Sequence, residues 1–317
     1  MTPAATTPAP IEAEPFAALP PGLRRGDRSS RWAEAVLGIE HVDSFLEGPC
    51  FGRDGTLYVS DLAHGRILTI SQEGAVSVLV EIDGEPNGLA VHRDGNLWVA
   101  DYRRGIVALD PKTGRCRVVV DRYRFEALRG VSDLVFGADG TLYFSDQGQS
   151  DLANPDGRVF RYRDGDGLTL LMDGIASPNG MALSPNGDVL YVAVTRANSV
   201  YRIPLRPDGR VGKIGVHLHL SGGSGGPDGL AVDALGGLAV AHYGLGRVWL
   251  FNALGLAAGV VCVPQGLGTT NIAYGGADGC TLFITESSSG AVLRAQVPVP
   301  GLRLFSHATD QSSVRRP

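Results

Sequence analysis

The chain has 317 residues, a net charge of −5 and 19% charged residues, so it offers no basic surface for nucleic acid. Its 44 Gly and 19 Pro favour short strands and tight turns over long helices. No stretch approaches the ~20 consecutive apolar residues that cross a bilayer, which excludes a membrane-spanning helix.

The chain opens on MTPAATTPAPIEAEPFAALPPG, rich in Pro, Ala and Thr, without the basic start and apolar run of a secretory signal. Residues 1–28 are therefore expected to be a flexible tail, and the protein cytoplasmic. Ser30 is placed to N-cap a short helix through Trp32, Ala33, Ala35 and Leu37, stopped by Gly38. Beyond it the sequence repeats. EGPCFGRDGTLYVSD begins at Glu47 and PNGLAVHRDGNLWVAD at Pro86, followed by VSDLVFGADGTLYFSD at Val131. PNGMALSPNGDVLYVAV, PDGLAVDALGGLAVAH and TNIAYGGADGCTLFITE follow from Pro178, Pro227 and Thr270. Each copy is an apolar run, a tight turn such as Asp54-Gly55 or Asp94-Gly95, and a second run rich in Leu, Tyr, Phe and Val. That is a β-hairpin signature.

Material for two further strands separates successive copies, as in GRILTI before EGAVSVLV. Six such units predict an all-β fold, a six-bladed β-propeller of four-stranded antiparallel blades. The propeller is expected over residues 29–310, with a C-terminal tail at 311–317. His41 to Leu46 are expected to supply the strand that closes the ring, because an open sheet edge invites association.

Aligned on their turns, the copies bring Glu47, Asn87, Ser132, Asn179, Asp228 and Asn271 to one place before the first strand of each blade. In a propeller the first strands line the channel, so these positions form a ring. The second strand returns antiparallel. Its last residue (Asp61, Asp101, Asp146, Val194, His242 or Glu286) is therefore expected in a second ring at the same mouth. Carboxylates so concentrated need a cation or protons. Glu, Asp and Asn oxygens suit a hard divalent ion, with Ca²⁺ first and Mg²⁺, Mn²⁺ or Zn²⁺ as alternatives. Pro-Asn-Gly and Pro-Asp-Gly are also ordinary turn formers, but a turn does not require Glu47 at the equivalent place. The acids of the second ring also read as capping strand ends or pairing with Arg103, Arg104 or Arg129, and Asp61 and Asp101 read as structural rather than catalytic. His242 is placed either as a proton shuttle or as a structural histidine, and His217 and His219 share one strand face. Cys50, Cys116, Cys262 and Cys280, without a C-x-x-C pair, read as small buried apolar side chains rather than a disulfide framework.

With these motifs in view, the chain resembles the gluconolactonase/regucalcin family of six-bladed propellers, which includes the luciferin-regenerating enzyme. The carriers are EGP at Glu47, SPNG at Ser177–Gly180 and GGPDGLAVD at Gly225–Asp233, together with SDQGQSDLANPDGRVFRY and YVAVTRANSVYRIPL. The resemblance implies that Glu47, Asn179 and Asp228 bind one catalytic divalent ion. It also implies that Asp228 is the general base of a metal-dependent lactonase acting on a small lactone or ester. Asn87, Tyr102, Ser132, Asp146 and Gln147 are the expected substrate contacts. Family members commonly carry Asn where this chain has Ser132, and animal regucalcins carry a substrate-contacting Arg where it has Gly130. Two other readings use the same face: phosphotriester hydrolysis, and a non-enzymatic propeller binding calcium or a protein partner. Oligomeric state is left open by the sequence.

Overall fold

The six hairpins are the inner halves of six blades, and the computed structural model of the protein, which describes residues 10–307, is a six-bladed β-propeller. The first strands are Leu46–Phe51, Pro86–Val91, Val131–Phe136, Pro178–Leu183, Gly226–Val232 and Thr269–Gly275. They touch one another in cyclic order, with Thr269–Gly275 against Leu46–Phe51. Three more strands step outward in each blade. The turn chemistry repeats with the fold. Asp54, Asp94, Asp139 and Asp278 each accept the backbone N–H two residues on, at 2.9–3.1 Å. The glycine after each of these aspartates takes a positive φ of 70–88°.

Alternate residues of the second strands fill the space between blades. Leu57 and Val59, Leu97 and Val99, Leu142 and Phe144, and Leu282 and Ile284 are all buried. Each such side chain contributes about 1.5–3 kcal/mol of transfer free energy, so the blades hold one another.

Ring closure differs from the expectation. Blade 6 has Thr269–Gly275, Thr281–Glu286 and Ala291–Gln296, and its outermost strand is Glu14–Ala18, antiparallel to Ala291–Gln296. Ile11–Glu12 adds a parallel fifth strand to blade 5. The flexible tail expected through residue 28 is thus corrected from Ile11 onward, and the closing strand is Glu14–Ala18 rather than His41–Leu46. Composition misled because Pro15 lies on an edge strand, where a missing N–H is tolerated. The tail expected at 311–317 lies outside the described residues.

The helix forms as expected, over Arg31–Leu37. Ser30 Oγ accepts the Ala33 N–H at 3.2 Å, and Gly38 ends it in the left-handed region. Trp32 and Ala33 pack with Phe45 and Leu62, flanked by Tyr102 and Tyr243. All four cysteines are free thiols, but only Cys50 is buried; Cys116, Cys262 and Cys280 are partly exposed on outer strands or turns, which corrects the expectation that all four are buried. Among the described residues no helix is long and apolar enough to cross a membrane.

Candidate metal centre

Strand pairing fixes which residues are equivalent. Leu46, Pro86, Val131, Pro178, Pro227 and Thr269 each pair with the last or nearly last residue of their second strand. The next residue forms the ring: Glu47, Asn87, Ser132, Asn179, Asp228 and Thr270. Asn271 is therefore one place further along, a correction to the turn-based alignment. In blade 6 the pair Thr269–Glu286 is 17 residues apart, against 15 for Pro86–Asp101 in blade 2. Counting back from the turn consequently lands one residue late.

The two ring carboxylates are buried. Glu47 Oε2 accepts the Gly48 N–H at 2.9 Å and the Asn271 amide at 3.1 Å. Burial raises its pKa to about 8 against these donors, and the Asp133 charge adds to the rise. Asp228 is pushed well above the carboxylate range by burial first, then by the charges of Glu47 and Asp133. Among the described residues its Oδ1 is buried without a hydrogen-bond partner. Arg196, exposed beside it, favours the charged form.

A hydrogen-bond chain links the ring through its amides and hydroxyls. Asn87 Nδ2 donates to Ser132 Oγ at 3.3 Å, and Ser132 Oγ donates to Asn179 Oδ1 at 2.8 Å. Asn179 Nδ2 donates to Thr195 Oγ1 at 3.3 Å, and Thr195 Oγ1 donates to the Pro227 carbonyl at 2.8 Å. The chain thus runs from blade 2 to the strand that carries Asp228. It leaves the Asn179 carbonyl oxygen with a single donor.

The donor chemistry fits a hard cation. An orphaned Asp228 oxygen and a buried Glu47 are costly without a positive charge, and Asn179 adds a carbonyl oxygen. Among the described residues no group of three or more His, Cys, Asp or Glu could hold a metal ion by itself. The candidate set is instead two carboxylates joined by an amide.

The second ring does not crowd the mouth with charge. Asp146 is wholly buried. Its Oδ1 accepts the N–H groups of Arg129 and Gly130 at 2.7 and 2.8 Å, and its Oδ2 pairs with Arg158. No oxygen is left for a substrate, so the substrate role expected of Asp146 is corrected. Asp61 accepts the Phe45 N–H and pairs with Arg66, Asp101 accepts three backbone N–H groups, and Glu286 accepts those of Gly268, Ser288 and Ser289. These acids cap the loops that lead into each blade. His242 belongs with them: Nδ1 accepts from Trp249 Nε1 at 3.1 Å, and Nε2 donates to the Gly222 carbonyl at 3.1 Å. Both ring nitrogens are engaged, so it is structural and no shuttle. His217 lies on the outermost strand of blade 4, against the Tyr191 ring.

The residue after each cap stands at the same end of its blade, among them Tyr102, Gln147, Thr195, Tyr243 and Ser287. Tyr102 donates to the Gly148 carbonyl at 2.6 Å and accepts from Gln149, and Gln147 Nε2 donates to Ser177 Oγ at 2.7 Å. Both are half-buried. Sequence reasoning missed Thr195, Tyr243 and Asp133. The signal for Asp133 was present, since four of the six copies carry glycine at its place.

A family model described as the SMP-30/gluconolactonase/LRE-like region matches residues 45–288. The chain is 32% identical over 243 residues to the lactonase drp35 of Staphylococcus aureus (strain MW2), covering 73% of this chain and 74% of that one. A gluconolactonase from Xanthomonas campestris superposes with a TM-score of 0.72 at 25% identity, over 93% of this chain and 99% of the other. A calcium-binding regucalcin from Agrobacterium tumefaciens shares the fold, with a TM-score of 0.75 at 23% identity, over 94% and 100% of the two chains.

Proposed function

The chain belongs to the SMP-30/gluconolactonase/LRE-like family, and from that premise we propose that it is a metal-dependent hydrolase that opens a small lactone. The observation that carries the reading is the buried Glu47–Asp228 pair, with the partnerless Asp228 Oδ1, beside the Asn179 carbonyl. Glu47, Asn179 and Asp228 would hold one divalent ion, with calcium favoured by their oxygen donors and by the calcium-binding regucalcin of the same fold. When bound, such an ion supplies a Lewis acid for the lactone carbonyl and a counter-charge for the oxyanion.

The residues of the chain do the rest. Asp228 is the general base: it takes a proton from the attacking water as that oxygen bonds to the ring carbonyl carbon. Its burial makes it a stronger base than an exposed aspartate. As the ring C–O bond breaks, Asp228 returns the proton to the leaving alkoxide, and a hydroxy acid departs. Glu47 keeps its charge oriented through Gly48 and Asn271. Asn179 is turned toward the channel by Ser132 and Thr195. Tyr102, Asn87 and Gln147 are proposed to contact the substrate.

The test is acid release from a panel of lactones by the purified protein with Ca²⁺, Mg²⁺, Mn²⁺ or Zn²⁺ added. It is run beside a fluorophosphate and beside Asp228→Ala. Ring opening by the wild type, lost in the variant, is expected. A panel on which no lactone opens with any ion would overturn the reading, and turnover of the fluorophosphate alone would replace it with phosphotriester hydrolysis.

A further inference from the structure

One layer below the ring, each blade contributes the next residue of its first strand: Gly48, Gly88, Asp133, Gly180, Gly229 and Asn271. Four are glycine. The two that are not belong to blades 3 and 6, which face each other across the channel. Both side chains are buried, and their neighbours make room for them. A Cβ on Gly88 would stand 2.3 Å from Asp133 Oδ1, and one on Gly229 would stand 2.2 Å from Asn271 Oδ1. Below them lies an apolar cavity of about 280 Å³, lined by residues such as Leu89, Leu134, Met181, Leu230, Ile272 and Phe305.

The two blades are built alike. The backbone N–H of Asp133 donates to Ser145 Oγ, and that of Asn271 donates to Thr285 Oγ1, both at 3.0 Å. Each side chain accepts from the next backbone N–H, Leu134 or Ile272, at 2.8 Å. Each then reaches the following blade. Asp133 Oδ2 accepts the Met181 N–H at 3.1 Å, two residues past Asn179, while Asn271 Nδ2 donates to Glu47 Oε2 at 3.1 Å. The ring residue just above ties the same pairs of blades. Ser132 Oγ donates to Asn179 Oδ1, and Thr270 Oγ1 donates to the Leu46 carbonyl at 2.7 Å. The dipeptides Ser132-Asp133 and Thr270-Asn271 therefore pin, respectively, the strand that carries Asn179 and the strand that carries Glu47.

We infer that Asp133 and Asn271 are paired positioning residues, a bar across the channel that sets Asn179 and Glu47 at the separation a divalent ion requires. The inference rests on the proposed ion site, and neither residue touches substrate. Asp133 also places a third negative charge under that site, and the roof of the apolar cavity is the bar itself.

The variants are Asn271→Gly, which installs the residue four blades already carry, and Asp133→Asn, which keeps the shape and removes the charge. Ca²⁺ affinity is measured by calorimetry, and Tm is measured with and without Ca²⁺. Loss of about tenfold or more in Ca²⁺ affinity is expected in each, the size usual for groups that orient a metal ligand. The Ca²⁺-free Tm of Asp133→Asn should be unchanged or higher, because a buried charge is gone. A merely structural role would instead lower the Ca²⁺-free Tm and leave the Ca²⁺-induced increment intact. Affinities within twofold of wild type in both variants would overturn the bar. Wild-type protein that binds none of Ca²⁺, Mg²⁺, Mn²⁺ or Zn²⁺ would overturn the ion site itself.

Discussion

Ser132 Oγ donates a hydrogen bond to Asn179 Oδ1 at 2.8 Å, so the hydroxyl that stands in the ring of blade 3 orients the amide of blade 4. In Ser132→Ala the Asn179 carbonyl loses the one donor it has among the described residues. A hydrogen bond of this kind is worth about 1 kcal/mol net, so Ca²⁺ affinity should fall about fivefold with little change in Tm. Unchanged affinity by calorimetry would remove Ser132 from the site.

Glu47 has its pKa raised to about 8, chiefly by burial. A carboxyl raised in the folded state stabilises the fold fully below its unfolded value and loses that contribution as pH rises through the folded one. The ion-free protein should therefore lose Tm between about pH 5 and pH 8. Cations compete with the proton, so the Tm increment given by Ca²⁺ should grow over the same window. A Ca²⁺ increment flat from pH 5 to 9 in thermal scans would contradict this.

Asp228→Asn removes the base and one ion-binding charge together. Lactone hydrolysis should fall by at least about a hundredfold, the low end for a lost general base. The ion-free protein should be as stable as wild type or more so, because the charge opposed by burial and by Glu47 is gone. Equal turnover at saturating lactone would exclude Asp228 as the base.

Asp146 pairs with Arg158 and holds two backbone N–H groups in a wholly buried place. Asp146→Ala should cost about 3–5 kcal/mol in urea unfolding, the usual penalty for stranding a buried partner. The KM of the fraction that remains folded should stay at the wild-type value. A raised KM with full stability would restore the substrate role.

Glu14–Ala18 covers the edge of Ala291–Gln296, and Phe16 sits edge-on to Phe283 with centroids 5.0 Å apart. Removing residues 1–19 should bare that edge and lower Tm. It should also promote self-association through the exposed strand, visible by light scattering. A truncated chain as stable and monodisperse as the full one would show that the strand is dispensable.

The blades were legible in the sequence because hairpin chemistry is local. Asp54-Gly55 and its relatives fix turns, and Leu57 with Val59 fixes a buried face. The helix from Arg31 was equally legible, since Ser30 and Gly38 carry its ends. The errors in the fold and the site concern pairing at a distance. The shift from Asn271 to Thr270 arises from a longer hairpin in blade 6, which only strand register exposes. Glu14–Ala18 was hidden because its partner lies some 280 residues away. The acids of the second ring read as a charge cluster because their backbone N–H partners, about 16 residues upstream, carry no side-chain signature.

The strand that completes blade 6 is translated before any blade, and its partner is translated after nearly all of them. A nascent chain can stack blades 1 to 5 on the ribosome, but Glu14–Ala18 must wait unpaired until Ala291–Gln296 emerges. Assembly of the circle is thereby deferred until the sixth blade has been made. The last step joins an early strand of the polypeptide to a late one, and a message truncated before Ala291 leaves a product in which Glu14–Ala18 has lost its partner.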